Sequence, residues 1–362
     1  MPRSSTVLAL ASLLAACSSH PGGSSGDAPG GDAGASDGGG TDEGAVGGGG
    51  GGGSLITEPD QGMQPIYDFI STATKTLDMT MYELVDTQAT ALLTKAAANG
   101  VTVRVILDQN DEKTDNTPAY DALSAANVQV HWANPTYACT HQKTITVDGT
   151  TSAVMTLNFA SEDYKTSRDF AVITTDAADV AAIETVFNAD FTDAAITPPD
   201  GDNLVWSPTN SQTAMVGVIN GAKASLLVEN EEMSDSSIVS ALSSAASRGV
   251  DVEVIMEDSS SYQTEFKTLA SAGAKLATYA HAAIYIHAKI MLADYGTSSA
   301  QVFVGSENFS HASLTENREL GLITTDPGIM TSLHTTLTGD FTGGTPFSDA
   351  TSTIAADAGA TD

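Results

Sequence analysis

Two short runs hold the residues best suited to chemistry. The first is His141-Gln142-Lys143 with Asp148 five residues after the lysine; the second is His287-Ala288-Lys289 with Asp294 at the same spacing. Residues two apart on a β-strand face the same side, so each run presents an imidazole and an ammonium group together. Two such strands on one cleft would offer two of each, a set suited to proton transfer and to holding negative charge. Of only nine lysines in the chain, two stand here, and each run is followed by an asparagine, Asn158 or Asn308, which argues against coincidence. The same groups could instead form a structural ion-pair network. A metal site fits poorly, because a protonated lysine is a poor ligand and no clustered His, Cys and Asp set accompanies the motif. Neither a metal nor a cofactor is therefore expected.

The elements that must position these residues come as an internal repeat. Residues 63–75 read as a helix, 77–82 as a strand, 87–99 as an alanine-rich helix and 100–108 as a buried strand. The same order returns at 211–223, 225–229, 236–248 and 249–255. Downstream, Asn158 and Asn308, Ile173-Thr174-Thr175-Asp176 and Ile323-Thr324-Thr325-Asp326, and Asp190-Phe191-Thr192 and Asp340-Phe341-Thr342 all share an offset of 150 residues. Strands alternating with helices of about a dozen residues predict an α/β fold. Two homologous α/β/α sandwich halves with mixed sheets would be related by a pseudo-twofold axis. Pro198-Pro199-Asp200-Gly201 marks the boundary, giving halves at 55–199 and 200–346 and a flexible tail at 347–362.

His-x-Lys, four residues, Asp, then Gly-Ser-x-Asn resembles the signature of the phospholipase D superfamily, here present twice. The second copy ends in Gly305-Ser306-Glu307-Asn308 after a spacer four residues longer than usual, with the extra residues expected in the turn at 294–299. The first reads Met155-Thr156-Leu157-Asn158, keeping a hydroxyl and losing the glycine. The resemblance implies that Asp169 and Glu319, each eleven residues after its asparagine, hydrogen-bond the catalytic histidines and fix their tautomers. It also implies His141 as nucleophile and His287 as general acid. Lys143, Lys289, Asn158 and Asn308 would hold the non-bridging phosphate oxygens, with Thr156 and Ser306 contributing substrate contacts. Asp148 and Asp294 read as structural residues that end the strand after each motif. Arg168 and Arg318 precede the orienting acids and could pair with carboxylates of the fold. Trp132 and Tyr285 could line a head-group site or serve core packing.

The N-terminus supplies a location. A basic start at Arg3, an apolar stretch at 7–14 and Leu14-Ala15-Ala16-Cys17 read as an export signal over 1–16 that resembles a bacterial lipoprotein processing site. Lipidation of Cys17 would anchor the chain to a membrane, with Ser18 matching the outer-membrane sorting pattern; an ordinary signal peptide is the alternative. Residues 17–54 are nearly all Gly, Ser, Asp and Ala and read as a tether. Without Cys17, Cys139 has no intramolecular disulfide partner, and it reads as a small buried hydrophobe.

Charge bears on substrate. With 45 acidic residues against 14 Lys and Arg, the formal charge is −31, and such a surface repels a polyphosphate backbone, so nucleic acid is disfavoured as a partner. The expected function is hydrolysis of phosphatidylcholine-like phospholipids to phosphatidate and the free alcohol through a phosphohistidine. The expected assembly is a monomer with an intramolecular pseudo-dimer. A secreted nuclease, a phosphatidyl transferase and a non-catalytic phosphate-binding surface module remain the alternatives.

Overall fold

The computed structural model describes residues 53–258 and 260–348. Cys17, the export signal and nearly all of the tether lie outside them. The first half runs β1 (Ser54–Glu58), α1 (Gln64–Ser71), β2 (Thr76–Met81), α2 (Thr87–Ala98), β3 (Thr102–Leu107), α3 (Lys113–Ala125), β4 (Gln129–Trp132), β5 (Thr144–Val147), β6 (Thr151–Met155), β7 (Ser167–Thr174) and α4 (Ala177–Asp190). The second runs β8 (Leu204–Ser207), α5 (Ser211–Gly221), β9 (Ser225–Asn230), α6 (Ser236–Ser247), β10 (Asp251–Glu257), α7 (Gln263–Ala272), β11 (Lys275–Tyr279), β12 (Tyr285–Ile286), β13 (Lys289–Ala293), β14 (Gln301–Gly305), α8 (His311–Thr315), β15 (Glu319–Thr324), α9 (Pro327–Gly343) and β16 (Thr345–Pro346).

Each half builds a mixed sheet. The orders are β1-β7-β6-β5-β2-β3-β4 and β16-β11-β10-β9-β13-β14-β15-β8, parallel where helices connect the strands and antiparallel where hairpins do. Strand alternation explains the layering. On β13, Met291 and Ala293 enter the core beneath α5–α7, whereas Ile290 and Leu292 enter a central core with α9. On β6, Ala153 and Met155 face the α1–α3 side while Val154 joins that same central core, which α4 also lines. Both faces of each sheet are thus buried, and the central layer binds the halves together. Asp86, Asp176, Asp235 and Asp326 start α2, α4, α6 and α9 by accepting two backbone N–H groups each, a cap worth about 1 kcal/mol apiece.

Several boundaries differ from the sequence reading. Ser54, assigned to the tether, already pairs with Ile173 in the sheet. At the other end Phe347 is no tail residue, since its N–H donates to the Leu276 carbonyl at 2.9 Å and its ring packs edge-on to Phe266. Strands β1 and β8 escaped detection because four or five residues beside a glycine tract or a proline-rich boundary carry little periodicity. The extra residues of the second motif do fall in the β13–β14 turn, where the first half needs only Asp148-Gly149-Thr150 between β5 and β6. Asp148 and Gly149, the central residues of the turn closed by the Thr150 N–H donating to the Val147 carbonyl, both take positive φ.

Candidate active site

Asp148 and Asp294 lie away from the chemistry. Asp148 gathers the backbone N–H groups of Thr74, Lys75 and Thr76, and Asp294 those of Lys223, Ala224 and Ser225. Each aspartate therefore ties its hairpin to the loop entering β2 or β9. These donors, together with the Thr74 hydroxyl, outweigh burial and hold Asp148 at about 2.

The two histidines are positioned by strands that cross between the halves. Tyr285 and Ile286 of β12 run parallel to Ser167 and Arg168 of β7, and Thr140 makes the equivalent bridge to Arg318. The N–H groups of His141 and Gln142 both donate to the Arg318 carbonyl at 3.0 Å. Each imidazole consequently lands beside the acid of the opposite half. His141 Nδ1 lies 2.8 Å from Glu319 Oε2, and His287 Nδ1 lies 2.8 Å from Asp169 Oδ1. With Nδ1 engaged, Nε2 of each ring is the nitrogen not committed to the acid. The shorter aspartate reaches its histidine as well as the glutamate does.

Further residues fix the acids. Ser167 and Thr156 donate to Asp169, both at 2.5 Å, while Ser313 at 2.6 Å and Asn317 at 2.9 Å donate to Glu319 Oε1. Thr156 and Ser306, expected to touch substrate, are fully buried and used inside the protein. Thr156 spends its hydroxyl on Asp169 and also accepts from the Phe170 N–H, and the Ser306 hydroxyl accepts from the Leu320 N–H at 3.2 Å. Their positions immediately after β6 and β14 turn them toward the neighbouring strand. Ser167 and Asn317 were legible as partners, since they share the repeat offset of 150.

Both lysines are fully buried. Lys143 Nζ donates to the His141 carbonyl at 2.6 Å, and Lys289 Nζ donates to the His287 carbonyl. Burial and then the Lys143 charge, only partly offset by Glu319, lower His141 from 6.5 to about 4. The ring is neutral near pH 7, the form in which an imidazole is able to attack. Burial followed by repulsion from Lys289 lowers Lys143 to about 7. Lys289 acts on both His141 and Lys143, so the two motifs share one electrostatic site. Burial opposes ionisation of Asp169 and Glu319, but the histidines and lysines outweigh it and hold both below the usual carboxylate range.

The environments of the two lysines differ. Lys143 lies over the Tyr82 ring at 4.8 Å, and that ring meets His141 edge-on at 4.6 Å. Lys289 instead bonds Glu231 Oε2 at 2.9 Å, an oxygen also 3.1 Å from Asn308 Nδ2 and 3.7 Å from His287 Nε2. Sequence reasoning missed Glu231 and Tyr82. Each stands four residues before the Asp cap of α6 or α2, so aligning the repeated helix starts reveals the exchange. Tyr285 donates to Glu231 at 2.7 Å and belongs to the site, whereas Trp132 stacks on Tyr120 at 4.3 Å and serves packing. Asn158 is half-buried beyond β6, and its Oδ1 makes no hydrogen bond within the protein.

The missing glycine of the first copy also has a structural reason. Gly305 pairs with Gly321, and a Cβ on either would approach the Glu307 carboxyl closely. The corresponding first-half pair is Met155 and Ala171, with Leu157 where the second half has Glu307. Met155 fills an apolar core that in the second half accommodates a carboxyl group; burial followed by repulsion from Glu319 pushes the Glu307 carboxyl well above its normal range. The substitution is one of packing.

Outside the cleft, Arg168 pairs with Asp340 at 2.7 Å and Arg318 with Asp190 at 2.9 Å, again each across the halves. Two α/β halves that exchange short strands and bring two buried His-x-Lys motifs together define a duplicated phosphoryl-transfer fold of the phospholipase D type. Residues 66–191 and 215–340 match the family model described as cardiolipin synthase, PLD-like domain, and the chain belongs to the phospholipase D superfamily. No curated protein is a significant sequence match to it. A polyphosphate kinase from Porphyromonas gingivalis is similar in structure, with a TM-score of 0.64 at 17% identity, over 79% of this chain and 46% of that one. The chain thus spans less than half of that protein. A phosphatidylserine synthase from Haemophilus influenzae Rd KW20 gives a TM-score of 0.61 at 12% identity, over 80% and 85% of the two chains. Nuc, a phospholipase D family member from Salmonella typhimurium, aligns with 40% of this chain at 24% identity and a TM-score of 0.37. At these identities the likeness is one of fold.

Proposed function

We propose that the protein is a phospholipase D-type phosphodiesterase that cleaves phospholipids to phosphatidate and the free alcohol. The observation that carries this reading is the crossed pairing of His141 with Glu319 and His287 with Asp169, which prepares two imidazoles for complementary roles around one phosphorus. In the first step His141 Nε2 attacks phosphorus, the bond to the head-group oxygen breaks, and that oxygen takes a proton from the His287 imidazolium. In the second, neutral His287 accepts a proton from water, the water oxygen attacks phosphorus, and the P–N bond breaks to release phosphatidate. Lys143 and Lys289 are placed to stabilise the charge gathering on the non-bridging oxygens, and Asn308 adds an amide donor. An anchor at Cys17 would bring this cleft to a lipid surface, and the net charge of −31 weighs against extended nucleic acid.

The test is an assay of the purified chain without added metal, offering phosphatidylcholine, cardiolipin and DNA in parallel. Turnover of a lipid that is lost in His141→Ala supports the reading, and turnover of DNA alone overturns it. A second outcome, transfer of the phosphatidyl group to an alcohol, is favoured by the family model's description as cardiolipin synthase and by the fold shared with a phosphatidylserine synthase. Product analysis with added glycerol separates transfer from hydrolysis, because the phosphohistidine is common to both.

A further inference from the structure

We propose that Glu231 is a specificity-determining residue that receives the ammonium group of an amino-alcohol leaving group, making zwitterionic phosphodiesters the preferred substrates. The inference rests on the phosphodiesterase reading above and names which head groups that site takes.

Position comes first. Glu231 Oε2 lies 3.7 Å from His287 Nε2, the ring nitrogen that Asp169 leaves unengaged. That nitrogen protonates the departing oxygen, so a carboxylate beside it lies on the leaving-group side of phosphorus. In an amino alcohol such as ethanolamine the ammonium is two carbons from that oxygen, within reach of a carboxylate so placed. The Glu231 side chain is 14% exposed and fixed by the Tyr285 hydroxyl at 2.7 Å, so it meets the cleft in a set orientation.

Charge balance points the same way. Two lysines and the His287 imidazolium that the first step requires balance three carboxylates, Asp169, Glu319 and Glu231, so an anionic diester brings a negative charge that nothing in the site offsets. Unbalanced charge in a dry site is costly. An ammonium on the leaving group restores the balance; an uncharged alcohol such as glycerol does not. Burial opposes ionisation of Glu231, yet Lys289 and His287 hold it well below the usual range, so the carboxylate is charged.

The other half excludes a purely structural need. Its equivalent lysine, Lys143, is equally buried and lies against the face of Tyr82, the residue at the position corresponding to Glu231. A lysine of this motif therefore does not require a carboxylate there.

The experiment compares dihexanoyl phosphatidylethanolamine with dihexanoyl phosphatidylglycerol, following phosphatidate by phosphorus NMR with the full chain. Wild type favours the ethanolamine lipid in kcat/KM, and Glu231→Gln lowers that preference ratio about tenfold or more, the scale of one charged hydrogen bond. Glu231→Asp, which keeps the charge, retains part of the preference. Equal turnover of both lipids by wild type overturns the inference and leaves the phosphodiesterase reading intact. So does a Glu231→Gln change that lowers both rates alike, which would mark Glu231 as a support for Lys289, or raises both alike, which would mark it as a competitor of phosphate. Cleavage of neither lipid by wild type removes both readings.

Discussion

Around the first histidine, Tyr82 offers an aromatic face to Lys143 and His141; around the second, Glu231 offers a carboxylate to Lys289 and His287. The framework is otherwise shared, down to the crossed acids and the crossed arginine pairs. Duplication thus kept what orients the imidazoles and varied what surrounds them. A desolvated, neutral ring suits attack on phosphorus. A ring with Asp169 on Nδ1 and Glu231 beside Nε2 fits the proton-donor role proposed for His287.

The strongest way to break this comparison is to remove each imidazole in turn. His141→Ala and His287→Ala are both expected to lose at least about 10⁴-fold in kcat on a phospholipid, since groups that act as a unit fail together. A p-nitrophenyl diester separates them. Its leaving group needs no proton, so it restores turnover to His287→Ala and leaves His141→Ala inactive; rescue of His141→Ala instead would reverse the assignment.

Next in size is the crossed arginine pair. Arg318→Ala strands the buried Asp190 and should cost about 3–5 kcal/mol of stability, read from denaturant unfolding. Arg168→Ala should cost less, because its second partner Asp60 is exposed and its site reaches solvent more readily. Equal losses would show the two interfaces to be energetically equivalent.

Removing the acids tests whether aspartate and glutamate serve equally. Asp169→Asn and Glu319→Gln are each expected to lower kcat by about 10²-fold through loss of tautomer control, with little effect on KM. A much smaller loss in either would show that its histidine is oriented by backbone contacts alone.

The smallest effect is on pH dependence. His141, lowered to about 4, is neutral above that value, and Lys143, lowered to about 7, is charged below it. The kcat/KM profile should therefore rise through about pH 4 and fall above about pH 7, tenfold per unit on each limb. Lys143→Arg should remove the alkaline limb, because a guanidinium stays protonated throughout that range. An unchanged alkaline limb would place that titration elsewhere.

The residues 141–148 and 287–294, the repeat offset of 150, the helix starts at Thr87 and Ser236 and the turn that absorbs the second spacer could all be read from sequence. They depend on periods of two or 3.6 residues and on capping chemistry, which act between near neighbours. Only the tertiary structure decided that Glu319 serves His141 and Asp169 serves His287, that Thr156 and Ser306 turn inward, and that Glu231 enters the site. The crossed His–acid pairs depend on Thr140 meeting Arg318 and β12 meeting β7. Such pairings join residues more than a hundred positions apart, through backbone hydrogen bonds that no local pattern encodes.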